Sequence, residues 1–123
     1  MDKIWLHGVA CRSRIGVPIE ERRRPQRILL DVGVELDLSG EASRDRLSGT
    51  VDYQALELAV RELAESKERL LLEALAAEVA ELVLKRDSRV ASVHVRVSKK
   101  PAVMPKTEQV SIEINRSRKA EAA

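Results

Sequence analysis

Lys99 is the residue whose placement most invites chemistry. Val93, Val95 and Val97 alternate with His94, Arg96 and Ser98, and the same phase sets the Lys99 ammonium on the apolar face at a strand end. A lysine kept from water holds its proton less tightly and can act as a base near neutrality. The competing reading lets the long stem carry the ammonium out to solvent, and periodicity alone leaves both open. Glu73 closes the apolar run Leu70-Leu71-Leu72 and has the small Ala76 and Ala77 one turn on. Its carboxylate could complement a helix dipole, or accept two parallel N–H bonds from a guanidine-like edge. Tyr53, the single tyrosine, follows Thr50-Val51-Asp52, where packing across a helix competes with a functional hydroxyl. Thr50 and Asp52 suit helix capping. Glu21 sits in a charged connection, and a surface ion pair with a neighbouring arginine is its ordinary explanation.

Other chemistries lack their residues. His7 and His94 stand alone in separate strands, without the spacing of a zinc site, and ordinary strand packing or exposure explains both. Neither a nucleophile-elbow serine nor a glycine-rich phosphate loop is present. Cys11 is the only cysteine, which excludes an intramolecular disulfide framework and a multi-cysteine metal site. Catalysis would therefore draw on carboxylate, amine, phenol and water, with no metal or cofactor expected.

These groups must be positioned by a small set of elements. From Ile28 to Leu38 the residues Ile28, Leu30, Val32, Val34, Leu36 and Leu38 alternate with Leu29, Asp31, Gly33, Glu35 and Asp37, the pattern of a strand with one buried face. Lys3 to Arg12 reads as a preceding, less cleanly patterned strand, and Gly16, Pro18 and Pro25 punctuate the connection. Ser39 to Thr50, with Gly40 and Gly49, is a polar loop with room for a short helical turn. The period then changes: Leu56, Val60 and Leu63 keep helical spacing, as do Leu72, Leu75, Val79 and Leu82 after a charged break from Ser66 to Arg69. Val93–Val97 and Val110–Ile114 are two more strands, separated by Pro101 and Pro105. The expected order is ββααββ, an α+β fold whose four antiparallel strands carry two helices on one face. Its other face would hold Asp31, Glu35, Asp37, His94, Arg96 and Glu113, paired across strands or lining a wet interior. Both sheet edges need protection, which closure of several subunits into a shared barrel would supply. We expect one domain over residues 1–117 and a flexible tail over residues 118–123.

Composition narrows the partners. The chain of 123 residues is 44% hydrophobic and 34% charged, a globular balance. Phe is absent, and Trp5 and Tyr53 are the only large aromatics, which disfavours a base-stacking nucleic-acid platform. A net charge of +2 sets up no long-range field for a polyanion, and Arg22-Arg23-Arg24 reads as a solvated turn. No apolar run suits a signal peptide or a membrane span. A reducing, cytoplasmic setting is the expectation.

Four segments together resemble the dihydroneopterin aldolase family. They are Ile15-Gly16-Val17-Pro18-Ile19-Glu20-Glu21 with Pro25-Gln26-Arg27 and Leu29-Leu30-Asp31-Val32; Thr50-Val51-Asp52-Tyr53; Leu71-Leu72-Glu73-Ala74-Leu75-Ala76; and Val95-Arg96-Val97-Ser98-Lys99. They run in the family's order over nearly the whole chain to Arg116. Membership implies the tunnelling fold, with subunits closing into a barrel, rings that stack from tetramer to octamer, and sites between subunits. It implies that Glu73 anchors the pterin with backbone help around Leu72, and that Val51 and Asp52 add backbone contacts. It further implies that Lys99 is the catalytic lysine, that a neighbouring subunit offers Tyr53, and that Glu21 completes the catalytic set. Two segments depart from many relatives, Arg12-Ser13-Arg14-Ile15 before the hairpin glycine and Met104-Pro105-Lys106-Thr107 in the last connection, and both bear on side-chain preference. The implied reaction is retro-aldol cleavage of 7,8-dihydroneopterin in folate biosynthesis, without metal or Schiff base. The alternatives are an epimerase acting on dihydroneopterin or its triphosphate, and a non-catalytic oligomeric pterin- or purine-binding protein.

Overall fold

The computed structural model of the chain describes residues 1–47 and 50–118. Ser48 and Gly49 of the polar connection and residues 119–123 of the expected tail lie outside the described residues. Four strands, β1 (Asp2–Ser13), β2 (Gln26–Leu36), β3 (Ser92–Lys99) and β4 (Val110–Ser117), form one sheet in the order β1-β2-β3-β4, antiparallel throughout. Besides the long helices α3 (Tyr53–Glu65) and α4 (Leu72–Arg86) there are two short ones, α1 (Ile19–Arg22) in the first hairpin and α2 (Ser39–Arg44) after β2. The expected order thus holds for the long elements.

Alternation in β2 does what its pattern predicts: Ile28, Leu30, Val32, Val34 and Leu36 are all buried under the helices. The strand stops at Leu36, two residues short of the expected Leu38, because Asp37 turns the chain. Asp37 Oδ1 accepts from Ser39 N at 2.9 Å and Ser39 Oγ at 2.7 Å, and these bonds hold its carboxyl below the usual range. Asp37 is therefore a turn residue and does not belong to the outer sheet face. In β1 a bulge lies between Leu6 and Val9, with Gly8 at φ 63 and its N–H donating to Asp31 Oδ1 at 2.7 Å. The extra residue reverses the phase, so Ile4 and Leu6 face the helices before it, and Val9 and Cys11 after it.

Helix α3 packs on β1 through Leu56, Val60 and Ala64, and α4 on β3 and β4 through Leu75, Ala76, Val79, Ala80 and Val83. The core is aliphatic, and small alanines let the helices approach closely. On the helix-free face the charges pair across strands. His94 Nε2 meets Glu35 Oε1 at 2.7 Å, Lys3 reaches Glu35 at 3.5 Å, and Arg96 reaches Glu113 at 3.5 Å. Trp5 stacks on His7 and His94, its ring lying over Gly33, where a Cβ would come within 2.8 Å of the indole. Just after β4, Arg118, which the sequence reading places in the tail, donates to the carbonyls of Leu84, Asp87 and Val90 and so caps α4.

Candidate functional site

The site grows from one corner of the fold, where the C-terminal end of β3, the β1–β2 connection and the start of α4 converge. Lys99 lies on the helix side of β3, as its phase requires, and pairs with Ile28 in the register. Its ammonium does not reach out to solvent. It donates to Glu21 Oε2 at 3.0 Å and to the Ile15 carbonyl at 3.3 Å. The two side chains are 9% and 7% exposed, so this pair is more shielded than the surface ion pair that was Glu21's ordinary explanation.

Glu21 is aimed by its loop. Its N–H donates to the Pro18 carbonyl at 3.1 Å, closing the turn of α1. Gly16 lies beneath it at φ 153, where a Cβ would sit 2.5 Å from Glu21 Cβ and 2.7 Å from its Cδ. Gln26 Nε2 donates to the carbonyls of Ile15 (2.5 Å) and Glu21 (3.4 Å), and Arg22 Nη1 to those of Gly16 and Val17. Arg22 is thus a brace of the loop and only its neighbours Arg23 and Arg24 are solvated. None of these bracing roles was read from the sequence; the signal available was the polar side chains flanking a glycine-proline connection.

Arg69 was missed as well, being read as part of a charged break. It is buried and ties the helix layer to the loop: its N–H donates to Arg14 O and its carbonyl accepts from Gly16 N. Its guanidinium holds Glu78 through two bonds, at 2.7 and 3.2 Å, and donates to the carbonyls of Leu63, Ala64 and Lys67 at the end of α3. The bonds from Arg69 come first among the causes that keep the Glu78 carboxyl below its ordinary 4.5. A folded pKa that is depressed stabilises fully above the ordinary value, and that contribution fades as pH falls through the folded one. Arg69→Ala is expected to cost roughly 2–4 kcal/mol at neutral pH, by stranding those carbonyls and leaving the Glu78 carboxylate only Lys67, at 3.1 Å. Chemical denaturation repeated from neutrality into acid checks this, because the variant should also lose part of the wild-type decline in stability.

Glu73 occupies the first turn of α4, exposed beside the buried Leu72 and four residues beyond Arg69, whose backbone bonds Arg14 and Gly16 of the loop. Tyr53 does not join them. It is 61% exposed, which removes the packing explanation, and it starts α3, whose other end is the one Arg69 holds. The 13 residues of α3 put about 18 Å of helix between Tyr53 and that corner. Beside Tyr53, Val51 is buried and Asp52 caps α3, its Oδ1 accepting from Ala55 N at 3.2 Å. One chain therefore pairs Lys99 with Glu21 and starts the helix of Leu72 and Glu73 three residues after Arg69, which bonds the same loop, while Val51, Asp52 and Tyr53 lie at the far end of α3.

Cys11 is buried and its thiol is pushed up to about 11, chiefly by burial, which takes thiolate chemistry from it at neutral pH. Among the described residues no group of three or more His, Cys, Asp or Glu is placed to hold a metal ion, and no helix is long and apolar enough to cross a membrane.

Comparison with known proteins gives this geometry its context. The family model described as FolB, dihydroneopterin aldolase, matches residues 4–115. The chain is 35% identical to the dihydroneopterin aldolase of Methylorubrum extorquens over 118 residues, covering 95% of this chain and 91% of that one. It is 33% identical to the Bacillus subtilis dihydroneopterin aldolase over 119 residues, 96% of this chain and 99% of the other. The crystal structure of the E. coli dihydroneopterin aldolase in complex with neopterin superposes with a TM-score of 0.88 at 27% identity, covering 95% of this chain and all of that one.

Proposed function

The chain belongs to the dihydroneopterin aldolase family, and we propose that its Lys99 corner, completed by a second copy, is where the family's reaction takes place. The substrate is 7,8-dihydroneopterin, cleaved in folate biosynthesis to 6-hydroxymethyl-7,8-dihydropterin and glycolaldehyde. The observation that carries the assignment is the shielded Lys99–Glu21 pair at 3.0 Å, an amine and a carboxylate held together at the end of a rigid strand.

The chemistry asks the protein to move protons. Lys99 as its free amine, through a water, takes the proton of the 2′-hydroxyl and becomes the ammonium that Glu21 holds, and the hydroxyl's oxygen electrons form the carbonyl of glycolaldehyde as the C1′–C2′ bond breaks. The pair released from that bond flows into the C6=N5 imine, giving an enamine, so the ring is its own electron sink. A metal or a Schiff base is not required for that step. Protonation of the enamine at C1′ then yields the hydroxymethyl product. Glu21 orients Lys99 and balances its charge, while Tyr53 orients the water or relays the final proton.

Glu73 fixes the ring by accepting from its aminopyrimidinone edge, with the backbone at Leu72 beside it. Glu73→Ala is expected to weaken pterin binding about tenfold or more, measured by fluorescence titration with neopterin, and to leave melting unchanged because the side chain is exposed. Tyr53, with the backbone of Val51 and Asp52, serves the Lys99 of a neighbouring copy, because about 18 Å of α3 keeps it from its own. Sites between subunits follow, as does a tetramer closed through the β1 and β4 edges into a barrel, or an octamer of two such rings. We place the enzyme in the cytoplasm, where a lone buried thiol stays reduced.

Incubating the purified protein with 7,8-dihydroneopterin tests the proposal. Equal amounts of glycolaldehyde and 6-hydroxymethyl-7,8-dihydropterin are expected. A product epimerised at C2′ with no glycolaldehyde would make it an epimerase, and tight binding without turnover a pterin-binding protein.

A further inference from the structure

Pairing of charge on the helix-free face of the sheet breaks down at one end. Moving along the strands, Lys3 and His94 meet Glu35, and Arg96 meets Glu113, so those cations have carboxylates. Nearer the Lys99 end the register sets Arg12 of β1 directly opposite Arg27 of β2. Both side chains are exposed, and Lys100, also exposed, follows Lys99 at the end of the adjoining strand, next to the Ile28–Lys99 pair. No ion pair or side-chain hydrogen bond engages Arg12, Arg27 or Lys100 among the described residues. Glu65 meets the group only through the backbone, its Oε2 accepting from the N–H of Arg12 at 2.9 Å.

Like charges directly opposite each other across an antiparallel pair are destabilising. Two guanidiniums on facing residues, with an ammonium on the next strand, therefore make a place where an anion would relieve repulsion. Arg14 and Arg22 add to the local charge, since both spend their donors on backbone carbonyls and not on carboxylates. We propose that Arg12, Arg27 and Lys100 form an anion site on the helix-free face that takes the oligophosphate group of a small molecule. Neighbouring strands are about 4.8 Å apart, so the backbone positions of the three residues span about 10 Å, within which their long side chains can reach successive phosphates. Guanidiniums recognise phosphate oxygens through paired N–H donors. Nucleic acid fits less well: the same face farther along carries Asp31, Glu35 and Glu113, and no aromatic ring lies near the cations. The site is distinct from the Lys99–Glu21 pair, which lies on the helix side of the sheet, and it needs no turnover to be detected.

Calorimetric titration with inorganic triphosphate is the test. Saturable binding is expected, weakening with ionic strength and falling about tenfold or more in Arg27→Gln, and further in R12Q/R27Q/K100Q. Relief of repulsion should also raise the melting temperature of Arg27→Gln above wild type in low salt without phosphate, a readout showing that the variant is folded. Dihydroneopterin triphosphate titrated into Glu73→Ala should bind as inorganic triphosphate does if the phosphates alone are read. Absence of saturable binding, an affinity unchanged in the triple variant, or duplex DNA outcompeting triphosphate would overturn the assignment.

Discussion

Lys99→Ala is expected to lower kcat about 10²–10⁴-fold, the range for losing a positioned proton-transfer group. It should also cost about 3–5 kcal/mol, because the Glu21 carboxylate would be left shielded and without its ammonium. Those two effects need separating, and Lys99→Arg does so. Arginine keeps the positive charge and can still meet Glu21 and the Ile15 carbonyl, yet it does not give up its proton at any working pH. Lys99→Arg is expected to melt near the wild-type temperature and to lose nearly all turnover in single-turnover product formation. Wild-type turnover in Lys99→Arg would show that the residue holds the corner together and moves no proton.

Gly16→Ala should have the next largest effect, although residue 16 offers no side chain to the chemistry. An added Cβ would meet Glu21 Cβ, Cδ and Oε1 at 2.5, 2.7 and 2.8 Å, and alanine is strained at φ 153. Because α1 buries nothing in the core, the loop can yield, and what yields is the aim of Glu21. We expect kcat to fall about 10²-fold through misplacement of the pair and stability to fall by about 1–3 kcal/mol through backbone strain. If the loss runs through Glu21, the double variant Gly16→Ala/Glu21→Ala should turn over no more slowly than Glu21→Ala alone. Additive losses in that cycle would place the effect of Gly16 elsewhere.

Residue patterns carried the long elements because a half-buried strand and an amphipathic helix each write their period into the chain. The alternation from Ile28 to Leu36 is the clearest case, and the phase of Val93, Val95 and Val97 put Lys99 on the correct face. The first strand was harder to read for a definite reason: the bulge at Gly8 moves the buried set from even to odd positions, so no single period spans it. Local polar bonds hid the rest. Asp37 ended β2 by bonding Ser39, and Arg69 looked like surface charge until Glu78 and the α3 carbonyls were seen around it. The pairing of Lys99 with Glu21 joins residues 78 apart, a contact that no local pattern reports. Periodicity says nothing of the distance between Tyr53 and that pair, which follows from helix length and the position of Arg69.

Two inactive variants made together test the central claim most directly. Lys99→Ala keeps a sound Tyr53, and Tyr53→Phe keeps a sound Lys99, so neither alone assembles a complete site. Co-expressed in equal amounts, they should form mixed assemblies in which roughly a quarter of the sites draw Lys99 from one copy and Tyr53 from the other. Glycolaldehyde released from 7,8-dihydroneopterin at about that fraction of the wild-type rate is the predicted result. Mixed assemblies that form but stay as inactive as the separate variants would contradict a site shared between copies.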